Sequence, residues 1–185
     1  YFAAIGAHTV MTGTERMLKR PIRILVDALR SLGANIRYLK EEGFPPLLLS
    51  GGTLKGGEIT LEGSVSSQFT SALLMIGPIL KEGLTLRLAG KIVSRPYIDM
   101  TLQLMKAFGA DVRWADSQTL HVNPCAYHPR EFPVENDWSA ASYWYEMVAV
   151  SPDPHAQISL PGLFGESVQG DVRIKELFEP LGVKT

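Results

Sequence analysis

Residues 32–38 read Leu-Gly-Ala-Asn-Ile-Arg-Tyr, and residues 108–114 read Phe-Gly-Ala-Asp-Val-Arg-Trp. The two stretches lie about 75 positions apart, and each follows an Arg-Pro pair by a similar distance. A fainter third copy runs from Gly170 to Val183. Because a fixed period of this length marks a repeated structural unit, we expect the fold to consist of copies of one motif.

The first copy predicts an amphipathic helix, because apolar residues recur at helical spacing from Ile22 to Leu32. Pro21 suits the first helical position, and Gly33 suits the left-handed residue that ends a helix. In the second copy Pro96 and Gly109 stand at the corresponding places. The two copies therefore predict the same helix.

The sequence also predicts strands before and after the second helix. Residues 111–114 alternate like a half-buried strand after the second helix, and residues 84–88 alternate before it. Residues 69–79 are apolar nearly all round, which predicts a buried helix. Each unit is thus predicted to run helix, strand, helix, strand, strand, which makes the chain an α/β protein.

A serine-rich turn, Gly63-Ser64-Val65-Ser66-Ser67-Gln68, leads into the predicted buried helix. Its hydroxyl groups, amide and free backbone N–H groups lie at the positive end of a helix dipole, which suits a phosphate. Ser66 as a simple N-cap explains the serines equally well. A second helix start at Ser94-Arg95-Pro96-Tyr97, with Arg16 and Arg20 one unit earlier, favours a convergent anion pocket.

Other candidate groups are weaker. We assign no metal site to His121, Cys125 and His128, because prolines stiffen this loop and no second ligand pair follows. Residues 135–137, Glu-Asn-Asp, could supply a general base, but acidic residues at a helix start usually act as caps. No nucleotide fingerprint or catalytic triad is visible, so we assign no cofactor.

Composition excludes two classes of partner. Eighteen basic and nineteen acidic residues in 185 leave a net charge of −1, without the basic excess that nucleic-acid binding needs. No apolar run approaches the roughly 20 residues that span a membrane. One cysteine agrees with a reducing compartment, so we expect a cytoplasmic location.

Two motifs carry a family resemblance. The stretch from Gly63 to Phe69 and the stretch Ser94-Arg95-Pro96-Tyr97-Ile98-Asp99 closely resemble the 5-enolpyruvylshikimate-3-phosphate synthase family. Further similar segments make the resemblance extend over nearly the whole chain. They are 12–22, 25–29, Pro45-Pro46-Leu47, Asp137 with 139–143, and Gln169-Gly170-Asp171.

The resemblance implies the enolpyruvyl transferase fold, an inside-out α/β barrel of two domains, each built from repeated β-α-β-α-β-β units. Residues 1–135 would form most of the shikimate-phosphate-binding domain, and residues 136–185 would begin the second domain. Both ends of the chain fall inside repeat units, so we expect a segment of a longer protein. The resemblance implies that this longer protein is a monomer.

The implied reaction is transfer of the enolpyruvyl group of phosphoenolpyruvate to the 5-hydroxyl of shikimate 3-phosphate, with release of phosphate, on the route to chorismate. By matching position, five residues would bind shikimate 3-phosphate: Ser66, Ser67, Gln68, Ser94 and Tyr97. Arg16, with Gln68, would bind phosphoenolpyruvate. The family's catalytic carboxylates match no position here, so no catalytic residue is assigned and we expect this chain alone to be inactive.

Two alternatives stay open. UDP-N-acetylglucosamine enolpyruvyl transferase has the same fold, although the Ser-Ser-Gln group argues against it. A non-catalytic module that binds a phosphorylated metabolite would also account for the missing acid and base residues.

Overall fold

The computed structural model describes all residues from Tyr1 to Thr185, and the chain divides into two compact units, Tyr1–Pro129 and Arg130–Thr185. The first unit holds seven strands and four helices. In chain order these are β1 (His8–Met11), α1 (Glu15–Leu18), α2 (Arg23–Ser31), β2 (Ile36–Tyr38), β3 (Leu47–Ser50), β4 (Gly57–Glu62), α3 (Ser67–Ile76), β5 (Leu84–Ala89), α4 (Arg95–Ala107), β6 (Val112–Trp114) and β7 (Thr119–Val122).

Sheet topology confirms the predicted repeat within this unit. Residues 57–122 run β-α-β-α-β-β and form a four-stranded sheet of order β4-β5-β7-β6. The earlier strands form a second sheet of order β1-β3-β2, which matches the order β5-β7-β6. Strand β3 lies between β1 and β2, and β7 lies between β5 and β6; each pairs antiparallel with both of its neighbours. The two copies therefore share topology as well as sequence.

Helix ends follow the sequence pattern more closely than helix starts. Gly33 and Gly109, after α2 and α4, both adopt the left-handed conformation, with φ of 107° and 89°. Pro96 lies in the first turn of α4 as predicted. The prediction that Pro21 opens α2 is wrong: Ile22 occupies the N-cap position, and its amide donates to the Gly43 carbonyl oxygen at 2.8 Å.

The main core lies between the four-stranded sheet and α3 and α4. Its most deeply buried side chains, none more than 1% exposed, are Leu73, Leu74, Leu84, Leu86, Leu88, Leu120 and Val122. The helix predicted over residues 69–79 is observed as α3 followed by a 3-10 turn, Gly77–Ile79. The predicted burial holds for Thr70, Leu73, Leu74 and Ile76 but not all round, because Met75 and Ile79 are 51% and 52% exposed.

The second unit is largely helical. It contains α5 (Trp138–Ala149), a 3-10 turn (Gly170–Arg173), α6 (Ile174–Phe178) and a final 3-10 turn (Glu179–Leu181). Its small core consists of Trp138, Ala141, Tyr145 and Val183. None of the helices in either unit combines the length and hydropathy that crossing a bilayer requires.

The strand expected between the helices of the third copy does not form. Residues 150–169 contain neither helix nor strand. Three prolines in this segment lack backbone N–H donors, and no neighbouring strand in the unit offers a ladder partner. The assignment of residues 1–135 and 136–185 to two domains stays a prediction.

The core predicts a large cost for truncating Leu86, whose side chain is 0% exposed at the centre of the sheet. Leu86→Ala should lower the free energy of unfolding of the intact protein by about 2–5 kcal/mol, through lost burial and a residual cavity. Urea unfolding measures this change. The matched control is Leu39→Ala at a 48% exposed leucine, and equal losses for both variants would contradict the core described here.

Candidate anion-binding site

Two helices of the first unit begin at the same edge of the sheet. Strands β4 and β5 are parallel and in register, with Glu62 opposite Ala89 at their carboxyl ends. Helix α3 follows β4, and helix α4 follows β5. Because the strands point the same way, both connecting loops and both helix N-termini lie at this edge. In open α/β sheets, ligands bind at the carboxyl ends of strands.

Gly63 joins the two loops by close backbone contact. Its amide donates to the Ala89 carbonyl oxygen at 2.6 Å, and its own carbonyl oxygen accepts from the Val93 amide at 3.3 Å. A Cβ atom at this position would lie 3.0 Å from the Ala89 oxygen and 3.1 Å from the Lys91 oxygen. Only glycine fits without displacing backbone, so this residue fixes the spacing of the two helix starts.

The serine-rich turn supplies both a cap and uncommitted polar groups. Ser66 is the N-cap of α3, and its hydroxyl accepts a long hydrogen bond of 3.4 Å from the Gln68 amide. Ser67, the first helical residue, is half-buried, and its hydroxyl makes no hydrogen bond within the chain. Gln68 is exposed. The cap interpretation therefore accounts for Ser66 but leaves Ser67 free for a ligand.

The second helix start differs from the first. Ser94 occupies the N-cap position of α4, but its side chain does not cap the helix. Tyr97 lies in the first turn and is 47% exposed. Ser66, Ser67, Gln68, Ser94 and Tyr97 are thus brought to two adjacent helix starts, tied together through Gly63.

Arg95 has a structural role that the sequence does not indicate. Its guanidinium carbon lies 4.2 Å from the centre of the Trp114 ring, and its Nε lies 3.8 Å from Asp99. The same guanidinium donates to the Ser117 carbonyl oxygen at 3.3 Å. These contacts account for its charge. Arg95 is therefore partly exposed but held by partners within the chain, and is not a free anion ligand.

Arg16 and Arg20 lie on and just after the short helix α1, and both are exposed. Neither guanidinium forms an ion pair or a side-chain hydrogen bond with any residue of the chain, including those at the starts of α3 and α4. The assignment of Arg16 to phosphoenolpyruvate stays a prediction.

His121 and Cys125 form hydrogen bonds with other residues of the first unit. The two ring nitrogens of His121 lie 3.0 Å from the Thr85 hydroxyl and 2.9 Å from the Asn123 side-chain oxygen. Cys125 Sγ accepts from the Asp111 amide at 3.5 Å. No group of three or more His, Cys, Asp or Glu side chains is arranged to hold a metal ion.

Sequence reasoning missed a carboxylate hub in the second unit. Glu135 accepts hydrogen bonds from Trp138 Nε1 at 2.7 Å, from the Phe164 amide at 2.7 Å, and from the side chains of Ser167 and Gln169. Three of these donors lie about 30 residues downstream, in the segment without regular structure. Asp137, by contrast, caps α5 as expected and accepts from the Ser139 amide at 2.8 Å.

These hydrogen bonds change the acidity of Glu135. Burial alone would raise the pKa of its carboxyl group, but the donors from Ser167, Phe164 and Trp138 outweigh burial. They hold the pKa of Glu135 below its ordinary value. The charged form therefore stabilises the unit, and the general-base role weighed for residues 135–137 finds no support at Glu135.

A concavity of the second unit contains none of the nominated residues. It is open and has a volume of about 1180 Å³. Its walls come from both ends of α5, from the irregular segment 151–165 and from the last residues of the chain. The helix starts of the first unit, by contrast, combine polar groups with a fixed spacing.

The fold and the site define a protein built from β-α-β-α-β-β units, in which two helix N-termini with hydroxyl side chains are held side by side. Comparison with known proteins is in agreement. The family model for EPSP synthase (3-phosphoshikimate 1-carboxyvinyltransferase) matches residues 1–185. The chain belongs to the EPSP synthase family.

Named relatives are similar along most of the chain. It is 62% identical to a 3-phosphoshikimate 1-carboxyvinyltransferase of Bacteroides fragilis over 180 residues, which are 97% of this chain and 43% of that protein. It is 43% identical to the enzyme of the same name from Tolumonas auensis, over 94% of this chain and 40% of that one. The chain therefore spans about two fifths of the length of these relatives.

A solved structure shows the same fold. The EPSP synthase of Acinetobacter baumannii superposes with a TM-score of 0.67 at 27% sequence identity. The match covers 81% of this chain and 33% of that one.

The Glu135 hub predicts acid sensitivity in the second unit. Because the folded-state pKa is lowered, its stabilisation is complete above the unfolded-state pKa and is lost as pH falls through the folded-state value. Amide hydrogen exchange at Phe164, followed by NMR from neutral to acidic pH, should show protection that disappears in this window.

Glu135→Gln should lower that protection at neutral pH and remove its pH dependence. Glu146→Gln, at an exposed carboxylate of α5 without a hydrogen bond, is the control and should behave like the unsubstituted protein. A pH-independent exchange rate at Phe164 in the unsubstituted protein would show that the hub does not act as described.

Proposed function

We propose that the protein containing this chain transfers the enolpyruvyl group of phosphoenolpyruvate to the 5-hydroxyl of shikimate 3-phosphate and releases phosphate. The observation that carries the proposal is the paired helix start fixed by Gly63, with the unbonded Ser67 hydroxyl on one helix and the non-capping Ser94 on the other. Family membership supports the same reaction. On the family pattern, the protein acts without a cofactor, as a monomer in the cytoplasm.

In this proposal the two helix starts bind shikimate 3-phosphate. Its phosphate takes hydrogen bonds from Ser66, Ser67 and the free backbone amides at the start of α3, where the helix dipole favours negative charge. Ser94 adds a hydroxyl from the neighbouring helix, and Tyr97 contacts the ring. Two helices that must both contact one ligand give the site its selectivity for a phosphate attached to a ring of suitable size.

Phosphoenolpyruvate, the second substrate, binds through Arg16 and Gln68 in the proposal. A guanidinium recognises a carboxylate or phosphate by parallel hydrogen bonds. The exposed Arg16 has no partner within the chain that would compete. We assign no catalytic acid or base to these 185 residues. Their contribution is to bind and orient the substrates.

Ser67→Ala tests the phosphate contact. The variant should weaken shikimate 3-phosphate binding by about 1.5–3 kcal/mol, the range for a hydrogen bond to a charged group. Alanine is the best helix former, so the helix itself should not suffer. Calorimetric titration of the intact protein measures the change.

Ser31→Ala is the matched control, because Ser31 is a helical serine of the same unit whose hydroxyl bonds only to the Ala28 carbonyl oxygen. It should leave the affinity unchanged. If Ser67→Ala binds shikimate 3-phosphate as tightly as this control, the phosphate site is misassigned. Binding of a UDP-sugar in place of shikimate 3-phosphate would contradict the proposed reaction itself.

Arg16→Ala tests the second substrate. Loss of the guanidinium should weaken the binding of phosphoenolpyruvate by about 1.5–3 kcal/mol, measured by titration in the presence of saturating shikimate 3-phosphate. The affinity for shikimate 3-phosphate alone should stay nearly the same. Arg37→Ala, at an exposed arginine of β2, is the control. Equal losses for both substrates would contradict the role given to Arg16.

A further inference from the structure

Helices α3 and α4 are joined by a pair of hydroxyl side chains one turn below the proposed site. Ser71 Oγ and Thr101 Oγ1 lie 2.8 Å apart. Ser71 follows Ser67 by one helical turn, and Thr101 follows Tyr97 by one turn. Thr101 is only 8% exposed, and Ser71 is half-buried. This contact is therefore a polar link between two helices whose buried residues are mostly apolar.

The direction of the hydrogen bonds follows from counting protons. Thr101 Oγ1 donates to the Tyr97 carbonyl oxygen at 2.9 Å. A hydroxyl has one hydrogen, so Ser71 must be the donor to Thr101. The result is a chain of two hydrogen bonds that runs from α3 through Thr101 to the backbone of Tyr97. Such chains polarise and strengthen one another.

We propose that Ser71 and Thr101 are positioning residues for shikimate 3-phosphate, because they lock the axial register of the two helices whose first turns bind it. Gly63 fixes the loops from one side of those turns, and the hydroxyl pair fixes the helices from the other. Apolar side chains alone permit small sliding of packed helices. A directional hydrogen bond to a buried group does not, since sliding would take the Ser71 donor away from the buried Thr101 hydroxyl.

This inference rests on the proposed function, and two substitutions at Thr101 separate positioning from packing. Thr101→Val keeps the shape of the side chain and removes its hydroxyl. It should weaken the binding of shikimate 3-phosphate about three- to tenfold, the range of one neutral hydrogen bond, with little change in Tm. Thr101→Ser keeps the hydroxyl and removes a methyl group. It should bind within about twofold of the unsubstituted protein, yet show a lower Tm.

Calorimetry and thermal unfolding of the intact protein provide both readouts. Ser71→Ala should weaken binding as Thr101→Val does, and the double variant should be no weaker than either single one, because both remove the same link. Thr85→Val is the control. It removes a hydroxyl that bonds to His121 across β5 and β7, away from the helix pair, and should leave the affinity unchanged.

The outcomes distinguish failure of the proposed function from failure of the positioning role alone. Unsubstituted protein that does not bind shikimate 3-phosphate would overturn the proposed function, and this inference with it. Normal binding that neither Thr101→Val nor Ser71→Ala weakens would overturn the inference alone. So would equal losses of affinity in Thr101→Val and Thr101→Ser, since packing would then explain them. If Thr101→Val does not fold, Ser71→Ala at the half-buried end decides between the same outcomes.

Discussion

Parallel pairing of β4 with β5 is the constraint on which the rest of the first unit depends. It places two carboxyl strand ends at one edge, so two loops and two helix N-termini meet there. Burial of Leu86 and its neighbours holds the strands against α3 and α4. Gly63 then brings the loops to hydrogen-bonding distance. Every polar group nominated on α3 and α4 owes its place to this sequence of constraints.

Sequence periodicity predicted those parts of the structure that local chemistry determines. The Leu-Gly-Ala and Phe-Gly-Ala stretches identified two copies of one unit, and both copies end their helix at a left-handed glycine and share a strand order. The serine-rich turn was placed correctly at a helix start. These features depend on neighbours in sequence, so a single sequence contains enough information to predict them.

Features that depend on residues distant in the chain could not be predicted from the sequence. The ring that covers Arg95 belongs to Trp114 on another strand, and nothing near Arg95 indicates it. The donors to Glu135 arrive from a segment about 30 residues downstream that has no periodicity to read. The strand predicted for the third copy does not form for a related reason. Strand propensity is not enough without a neighbouring strand to pair with, and the unit contains none.

Pairs of neighbouring strands also differ in how far apart the paired residues lie along the chain. Strands β6 and β7, like β2 and β3, are joined by short connections, whereas β4 reaches β5 only through the whole of α3. Closing the longer connection costs more conformational entropy before any contact compensates for it. We therefore expect the antiparallel hairpins to assemble first and the β4–β5 pair later. The edge where the two helices begin would then take shape only after the hairpins have formed.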